Sequence, residues 1–300
     1  MAELLDDVAA SWIRDLRAAD RSPRTIKQYM LAVNQFRDWL VEHDREPTVD
    51  GLTKHAIATW LGDLADAGRE PATLQIRYKG LHRFVRWLVA EDELEKDPMA
   101  GIEPATVKPK PVPLVTDGDV TKLLRTCEGK SYDDRRDQAI LRVLFDCGIR
   151  ISECAGLELA DVDLKHHDVV RVHGKGDVER AVPFGAKTGR ALDRFLRARR
   201  DHRLADTTDA LWLGIRGGLT ADGVEYALKK RVRQAGIEHI HAHQFRHGFA
   251  HSWLVQGGQE RDLKRLMGWK SDSMLERYGS SAADERARAA FKRMRLGDRL

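Results

Sequence analysis

Residues 137–153 read Asp-Gln-Ala-Ile-Leu-Arg-Val-Leu-Phe-Asp-Cys-Gly-Ile-Arg-Ile-Ser-Glu. Asp137 to Cys147 is dense in apolar residues over three turns, the pattern of a packed helix. Gly148 follows where a left-handed residue ends such a helix. Arg150 then falls at a corner between two helices. Backbone N–H groups point outward there, and a guanidinium adds a bidentate fork suited to a phosphate. Glu153, three residues on, is placed to orient an arginine or to cap the following helix; an ordinary interhelix salt bridge fits the same spacing.

Downstream, two valine-rich runs, Asp168–Val172 and Val178–Val182, flank His173-Gly-Lys175-Gly-Asp177, a hairpin turn by composition. Helices are expected from Thr220 to Ala235, from His243 to Val255, from Arg261 to Met267 with Gly268 as its stop, and from Ala283 to Met294 after Tyr278. Upstream, Ser22-Pro23 caps a helix whose stripe is Ile26, Tyr29, Met30, Val33, Phe36 and Leu40. A second amphipathic helix over 72–89 buries Leu74, Tyr78, Leu81, Val85 and Leu88, and helices near 5–18 and 53–67 complete a four-helix bundle. Residues 101–113 carry prolines at 104, 109, 111 and 113, which favour an extended strap over a helix. The expected division is therefore 1–104, a linker over 105–113, and 114–300: mainly α, with a small antiparallel sheet in the second part.

A chain of 300 residues with 42% apolar content suits about two globular domains. No apolar run approaches the roughly 20 residues of a membrane span. The acidic N-terminus shows no secretory pattern. Cys127, Cys147 and Cys154 are odd in number and lack metal-ligand spacing, which points to a reducing cytoplasm. The net charge of +4 hides an asymmetry: residues 1–104 hold 14 Lys and Arg against 19 Asp and Glu, and the remainder 37 against 28. A basic C-terminal part is the electrostatic footprint of a polyanion binder.

The remaining polar motifs each have a plain structural reading. Lys175 fits an exposed hairpin lysine, since Gly-Lys-Gly lacks the spacing of a nucleotide-binding loop. His239, His241, His243, His247 and His251 suggest a metal, but no Glu follows His243 and Arg246 would repel a cation. His243 and Arg246 share a helix face and can reach one phosphate together. Trp269 fits helix-end packing, although its indole N–H can also donate to a phosphate oxygen. Tyr278 fits a half-buried aromatic.

Taken in order, these residues resemble the tyrosine recombinase (phage integrase) family. The matching strings are Gly148-Ile-Arg150-Ile-Ser-Glu153, the hairpin Lys175, His243-Gln-Phe-Arg246-His247, Leu266-Met-Gly268-Trp269, and Tyr278 nine residues later. The N-terminal bundle looks like that family's SAM-like core-binding domain, and 114–300 like its α+β DNA breaking-rejoining domain. Trp269 stands where most members have histidine, and Leu275 where threonine is common. No additional arm-binding domain is expected ahead of the bundle.

The resemblance implies a metal-independent and cofactor-free site-specific recombinase. Arg150 and Arg246 hold the scissile phosphate, Lys175 protonates the leaving oxygen, His243 acts on the nucleophile Tyr278, and Trp269 donates to the phosphate, with Glu153 and His247 in support. It implies double-stranded DNA as partner, gripped from two sides, with Arg24, Lys27, Lys79, Arg83, Arg86, Lys108 and Lys110 as candidate contacts. It also implies a homotetramer on DNA, with residues 284–294 docking onto a neighbouring copy or onto their own chain, and a location in the cytoplasm at the nucleoid. A type IB topoisomerase and a non-catalytic DNA-binding protein of the same fold are the alternatives.

Overall fold

The computed structural model describes residues 3–108, 113–174, 178–238, 240–294 and 297. The chain divides into two compact units, Met1–Lys110 and Pro111–Leu300. Among the described residues no helix is long and apolar enough to cross a membrane.

The first unit is a bundle of α1 (Leu5–Ala18), α2 (Pro23–Glu42), α3 (Lys54–Asp66) and α4 (Pro71–Ala90). Two of them, α2 and α3, begin at side-chain caps. The Ser22 hydroxyl accepts from the Thr25 N–H ahead of Pro23, and the Thr53 hydroxyl accepts from the Ala56 N–H. Leu5, Val8, Ala9, Trp12 and Leu16 recur at helical spacing and form the buried face of α1. Trp12 stacks on Tyr29 and packs on Phe84, with ring centroids 5.7 and 5.1 Å apart, while Phe36 meets Trp60 edge-on. Gly80 lets α4 lie directly on α2: a Cβ there would sit 2.8 Å from the Ala32 Cβ. After α4, residues 102–108 form neither helix nor strand. Their start is held by Tyr78, whose hydroxyl donates to the Ile102 carbonyl at 2.9 Å.

The second unit is built on α6 (Tyr132–Cys147), whose Ala139, Ile140, Leu141, Val143, Leu144 and Cys147 are buried. Around it lie α5 (Asp117–Arg125), the short α7 (Ile151–Ala155), α8 (Ala186–Arg200), α9 (Ala221–Ala235), α10 (Ala242–Val255), α11 (Glu260–Met267) and α12 (Asp272–Met294). The sheet is antiparallel in the order β1 (Val162–Asp163), β2 (Val169–Gly174), β3 (Val178–Pro183). Its register pairs Val170 with Val182 and Gly174 with Val178, so Val170, Val172 and Val182 face the core together. Arg231 of α9 is buried, and its Nε donates to Asp137 at 2.8 Å, which also accepts from Arg136; this ties α9 to α6.

Two helix boundaries differ from the sequence expectation. α6 starts at Tyr132 rather than Asp137, because Ser131 caps it and Asp133 and Asp134 sit in its positive first turn. The final helix starts at Asp272 rather than Ala283, so Tyr278 lies inside it. Gly279 lies inside the helix, buried against α10, and a Cβ there would sit 3.5 Å from Leu254 Cδ1. The helices α5 and α8 and the two-residue β1 fall outside the sequence expectation, although α5 opens with a capping box formed by Thr116 and Asp119.

The contact at Gly80 yields a stability test. Gly80→Val forces new atoms into the α2–α4 crossing and is expected to destabilise the bundle by about 2 kcal/mol. Urea unfolding followed by tryptophan fluorescence, to which Trp12, Trp39, Trp60 and Trp87 of the bundle contribute four of the seven indoles, measures this.

Candidate active site

Two left-handed glycines set the geometry. Gly148 (φ 59°) ends α6 and Gly268 (φ 63°) ends α11. A Cβ on Gly148 would strike the Phe249 ring at 2.7 Å, and one on Gly268 would lie 3.1 Å from Arg180 Nη1. Glycine is required at both positions by conformation and by space. The freed carbonyls at these helix ends then serve as acceptors.

Arg246, on α10, collects them. Its side chain is 1% exposed; Nη1 donates to the Gly148 carbonyl at 2.8 Å and Nη2 to the Met267 carbonyl at 2.5 Å. Its guanidinium carbon lies 5.7 Å from the Trp269 ring centroid. Burial, and next the like charge of Arg150, push its pKa down to about 10. It remains charged at neutral pH and has N–H groups to spare.

Arg150 caps α7 through Glu153. The Arg150 N–H donates to Glu153 Oε2 at 2.8 Å and its Nη1 to Oε1 at 2.7 Å. Both sequence expectations for Glu153, orienting an arginine and capping a helix, are met by this one carboxylate. The Arg150 side chain is 41% exposed, so its outer donors face solvent. Arg180 of β3 is a third guanidinium at the site and was not anticipated. It donates to both Glu153 oxygens, at 3.1 and 2.8 Å, and from Nε to the Leu266 carbonyl at 2.7 Å. A signal was available: alternation puts 180 on the same face of β3 as the buried Val182, and an inward arginine needs a buried partner. Burial alone would raise the Glu153 pKa. Hydrogen bonds from Arg180 and from the Arg150 backbone outweigh that and hold it below its ordinary value.

The aromatic side of the site is continuous. Tyr278 is buried, and its Oη lies 2.7 Å from His243 Nε2. The His247 ring stacks on the phenol at 4.0 Å and 20°, and the Trp269 ring packs on it at 4.8 Å. Trp269 is 5% exposed, and its indole N–H has no acceptor among the described residues. Leu275, at the position where threonine was noted, packs with Met274 against the Ala250–Leu254 cluster. An apolar side chain suits that placement.

The structure thus brings together Arg150, Glu153, His243, Arg246, His247, Trp269 and Tyr278. Lys175 lies outside the described residues, in the 175–177 segment between the paired Gly174 and Val178; Lys110 and His239 lie outside them as well. In the bundle Arg24, Lys27, Lys79, Arg83 and Arg86 are all exposed, and so is Lys108 in the segment after it. Arg83 and Arg86 share a cleft of about 330 Å³ with Arg21, Trp12, Leu16, Tyr29 and Trp87, and no carboxylate lines it. Arg21 is a member that sequence spacing did not single out.

Residues 114–285 match the family model for the phage integrase family, and residues 9–95 that for the phage integrase N-terminal SAM-like domain. This chain belongs to the phage integrase family. Among curated relatives, tyrosine recombinase XerC of Oceanobacillus iheyensis is 35% identical over 208 residues, covering 67% of this chain and 68% of that protein. XerC of Corynebacterium efficiens is 38% identical over 159 residues, covering 53% and 50%. The matched region spans half to about two thirds of these relatives' length. The fold is that of XerH site-specific recombinase bound to a palindromic difH substrate (TM-score 0.73, 18% identity, 91% of this chain and 81% of that one). It is likewise that of a lambda integrase dimer bound to a COC′ core site (0.72, 17%, 95% and 77%).

The Glu153 network predicts a pH dependence. A carboxyl with a depressed folded pKa contributes stability above its unfolded pKa, near 4.5, and loses it as pH falls through the folded value. Glu153→Gln is expected to cost about 3 kcal/mol at pH 7 by leaving two guanidiniums undercompensated. Its deficit against the unsubstituted chain should shrink between pH 5 and pH 3, as urea midpoints at each pH would show.

Proposed function

We propose that this chain is a site-specific DNA recombinase that cleaves and rejoins strands through a 3′-phosphotyrosyl link at Tyr278. One observation carries the reading: the Tyr278 hydroxyl meets His243 Nε2 at 2.7 Å beside the charged Arg246 and the unsatisfied N–H of Trp269. A phenol next to a base, facing donors that lack an acceptor, suits attack on a phosphodiester.

A free tyrosine has a pKa near 10, so only about one in a thousand is ionised at pH 7. His243 Nε2 takes the phenolic proton as the oxygen attacks phosphorus. Arg150 and Arg246 neutralise the non-bridging oxygens as charge builds on them, and Trp269 donates to one of the same oxygens. The P–O5′ bond breaks, its electron pair leaves on the 5′-oxygen, and Lys175 protonates that oxygen. Glu153 and His247 hold Arg150 and the phenol in place. The phosphodiester energy is kept in the tyrosyl link, and a 5′-hydroxyl from a second strand reverses the step. The cycle needs no metal and no cofactor.

The substrate in this reading is double-stranded DNA in the bacterial cytoplasm, at the nucleoid. Residues 1–104 act as the core-binding domain, 105–113 as the linker and 114–300 as the catalytic domain. Arg24, Lys27, Lys79, Arg83, Arg86, Lys108 and Lys110 contact phosphates, which makes binding steeply salt-dependent. Two duplexes are exchanged within a homotetramer. Type IB swivelling and binding without chemistry have no observation of their own in support.

The test is to incubate the chain with a library of duplexes in excess EDTA, then sequence what stays covalently attached after denaturation. A specific adduct is expected. Tyr278→Phe should bind the same duplex and form none, and Arg150→Ala should slow adduct formation on the order of a hundredfold or more. An adduct with Tyr278→Phe, or activity that needs a divalent ion, would refute the proposal. Exchange between two marked duplexes separates recombination from simple relaxation.

A further inference from the structure

Two arginines grip Glu153, and they differ in what they have left to offer. Arg180 uses Nη1 and Nη2 on the two Glu153 oxygens and Nε on the Leu266 carbonyl, and its side chain is 9% exposed. All three of its nitrogens are committed to protein. Arg150 makes one side-chain contact to Glu153 and is 41% exposed. The packing around Arg180 is equally specific, since Gly268 lies against its guanidinium where any Cβ would be 3.1–3.3 Å from Nη1, Cζ and Nε.

The charge balance explains the difference. A buried carboxylate facing a single guanidinium forms a closed pair. Its field cancels the positive charge offered to an incoming anion, and it draws the donors inward. A second, immobile guanidinium on the same carboxylate relieves that demand. The cluster of Arg150, Arg180, Arg246 and Glu153 then carries a surplus of two positive charges, aimed at the solvent side where Arg150 is open. The Leu266 bond has a second effect. It anchors β3 to the last turn of α11, two residues before Gly268 and three before Trp269, and β3 leads directly from the segment that holds Lys175.

We propose that Arg180 is a positioning residue for strand cleavage: it occupies Glu153 so that the Arg150 guanidinium stays available to the scissile phosphate, and it locks β3 against the α11 end that presents Trp269. This rests on the recombinase reading above. Arg180 touches neither the phosphate nor the nucleophile, and its influence passes through Glu153 and Leu266.

Two measurements on the full chain decide it. The first is single-turnover adduct formation at saturating concentration of the duplex trapped in the library experiment. Arg180→Met should slow it about ten- to a hundredfold with duplex affinity little changed, and Arg180→Lys should lose less. The deciding variant adds Glu153→Gln to Arg180→Met. Removing the carboxylate frees Arg150 again, so the double variant should cleave faster than Arg180→Met alone. A role confined to holding the fold predicts the reverse, a double variant slower than either single one. The second measurement is titration with inorganic phosphate, read from the Arg150 side-chain NMR signals. Arg180→Met should weaken phosphate binding about tenfold, and Glu153→Gln in that background should restore part of it.

Unchanged cleavage and phosphate binding in Arg180→Met, or further loss in the double variant, overturns the proposal. Melting temperatures identify any variant that fails to fold; Arg180→Lys with and without Glu153→Gln then gives the same comparison. If the unsubstituted chain forms no adduct with any duplex, the recombinase reading fails, while the phosphate titration still decides what Arg180 does for Arg150.

Discussion

The catalytic unit is organised around a buried positive charge. Removing a guanidinium from water costs several kcal/mol unless its N–H groups find acceptors. Arg246 finds them at the ends of two helices, where Gly148 and Met267 carbonyls have no intrahelical partner. Those ends also carry the negative pole of the helix dipole, which favours a cation there. The left-handed glycines 148 and 268, the Phe249 ring over one of them and the Arg180 guanidinium over the other all follow from bringing α6 and α11 to a common point. With its N–H groups used only in part by protein acceptors, Arg246 keeps donors for an anion.

Much of this was legible in the sequence because the signals are local. Ser22-Pro23 and Thr220 start helices where the structure starts them, and Gly148 and Gly268 stop them. The His243–His247 helix and the β2–β3 pairing also follow from short-range pattern. What was not legible depends on tertiary context. The final helix, expected from Ala283, starts at Asp272, with its first turns packed against α10. The first turn of α6 looks polar, yet its Arg136 is buried on Asp137 together with Arg231 from a helix 94 residues away. Arg180 was invisible for the same reason. Its partner Glu153 is 27 residues distant, and only the inward register of β3 hints at the pair.

Net charge was a poor guide to the bundle. Residues 1–104 sum to an acidic balance, but the charges are segregated. Glu3, Asp7, Asp15, Glu91 and Glu93 line one cleft with Arg14, and Arg21, Arg83 and Arg86 line another without a carboxylate. What a polyanion meets is the local field within about a Debye length, roughly 8–10 Å, and the charged residues lining the second cleft are basic whatever the domain total.

The phenol at 278 and the apolar residues Phe291 and Met294 belong to one uninterrupted rod, α12, and the latter two project into solvent. Thirteen residues separate Tyr278 from Phe291, about 20 Å along the axis at 1.5 Å each. Each residue also turns the rod by about 100°. Contacts made at Phe291 and Met294 are therefore carried by the same helix that holds the Tyr278 hydroxyl against His243.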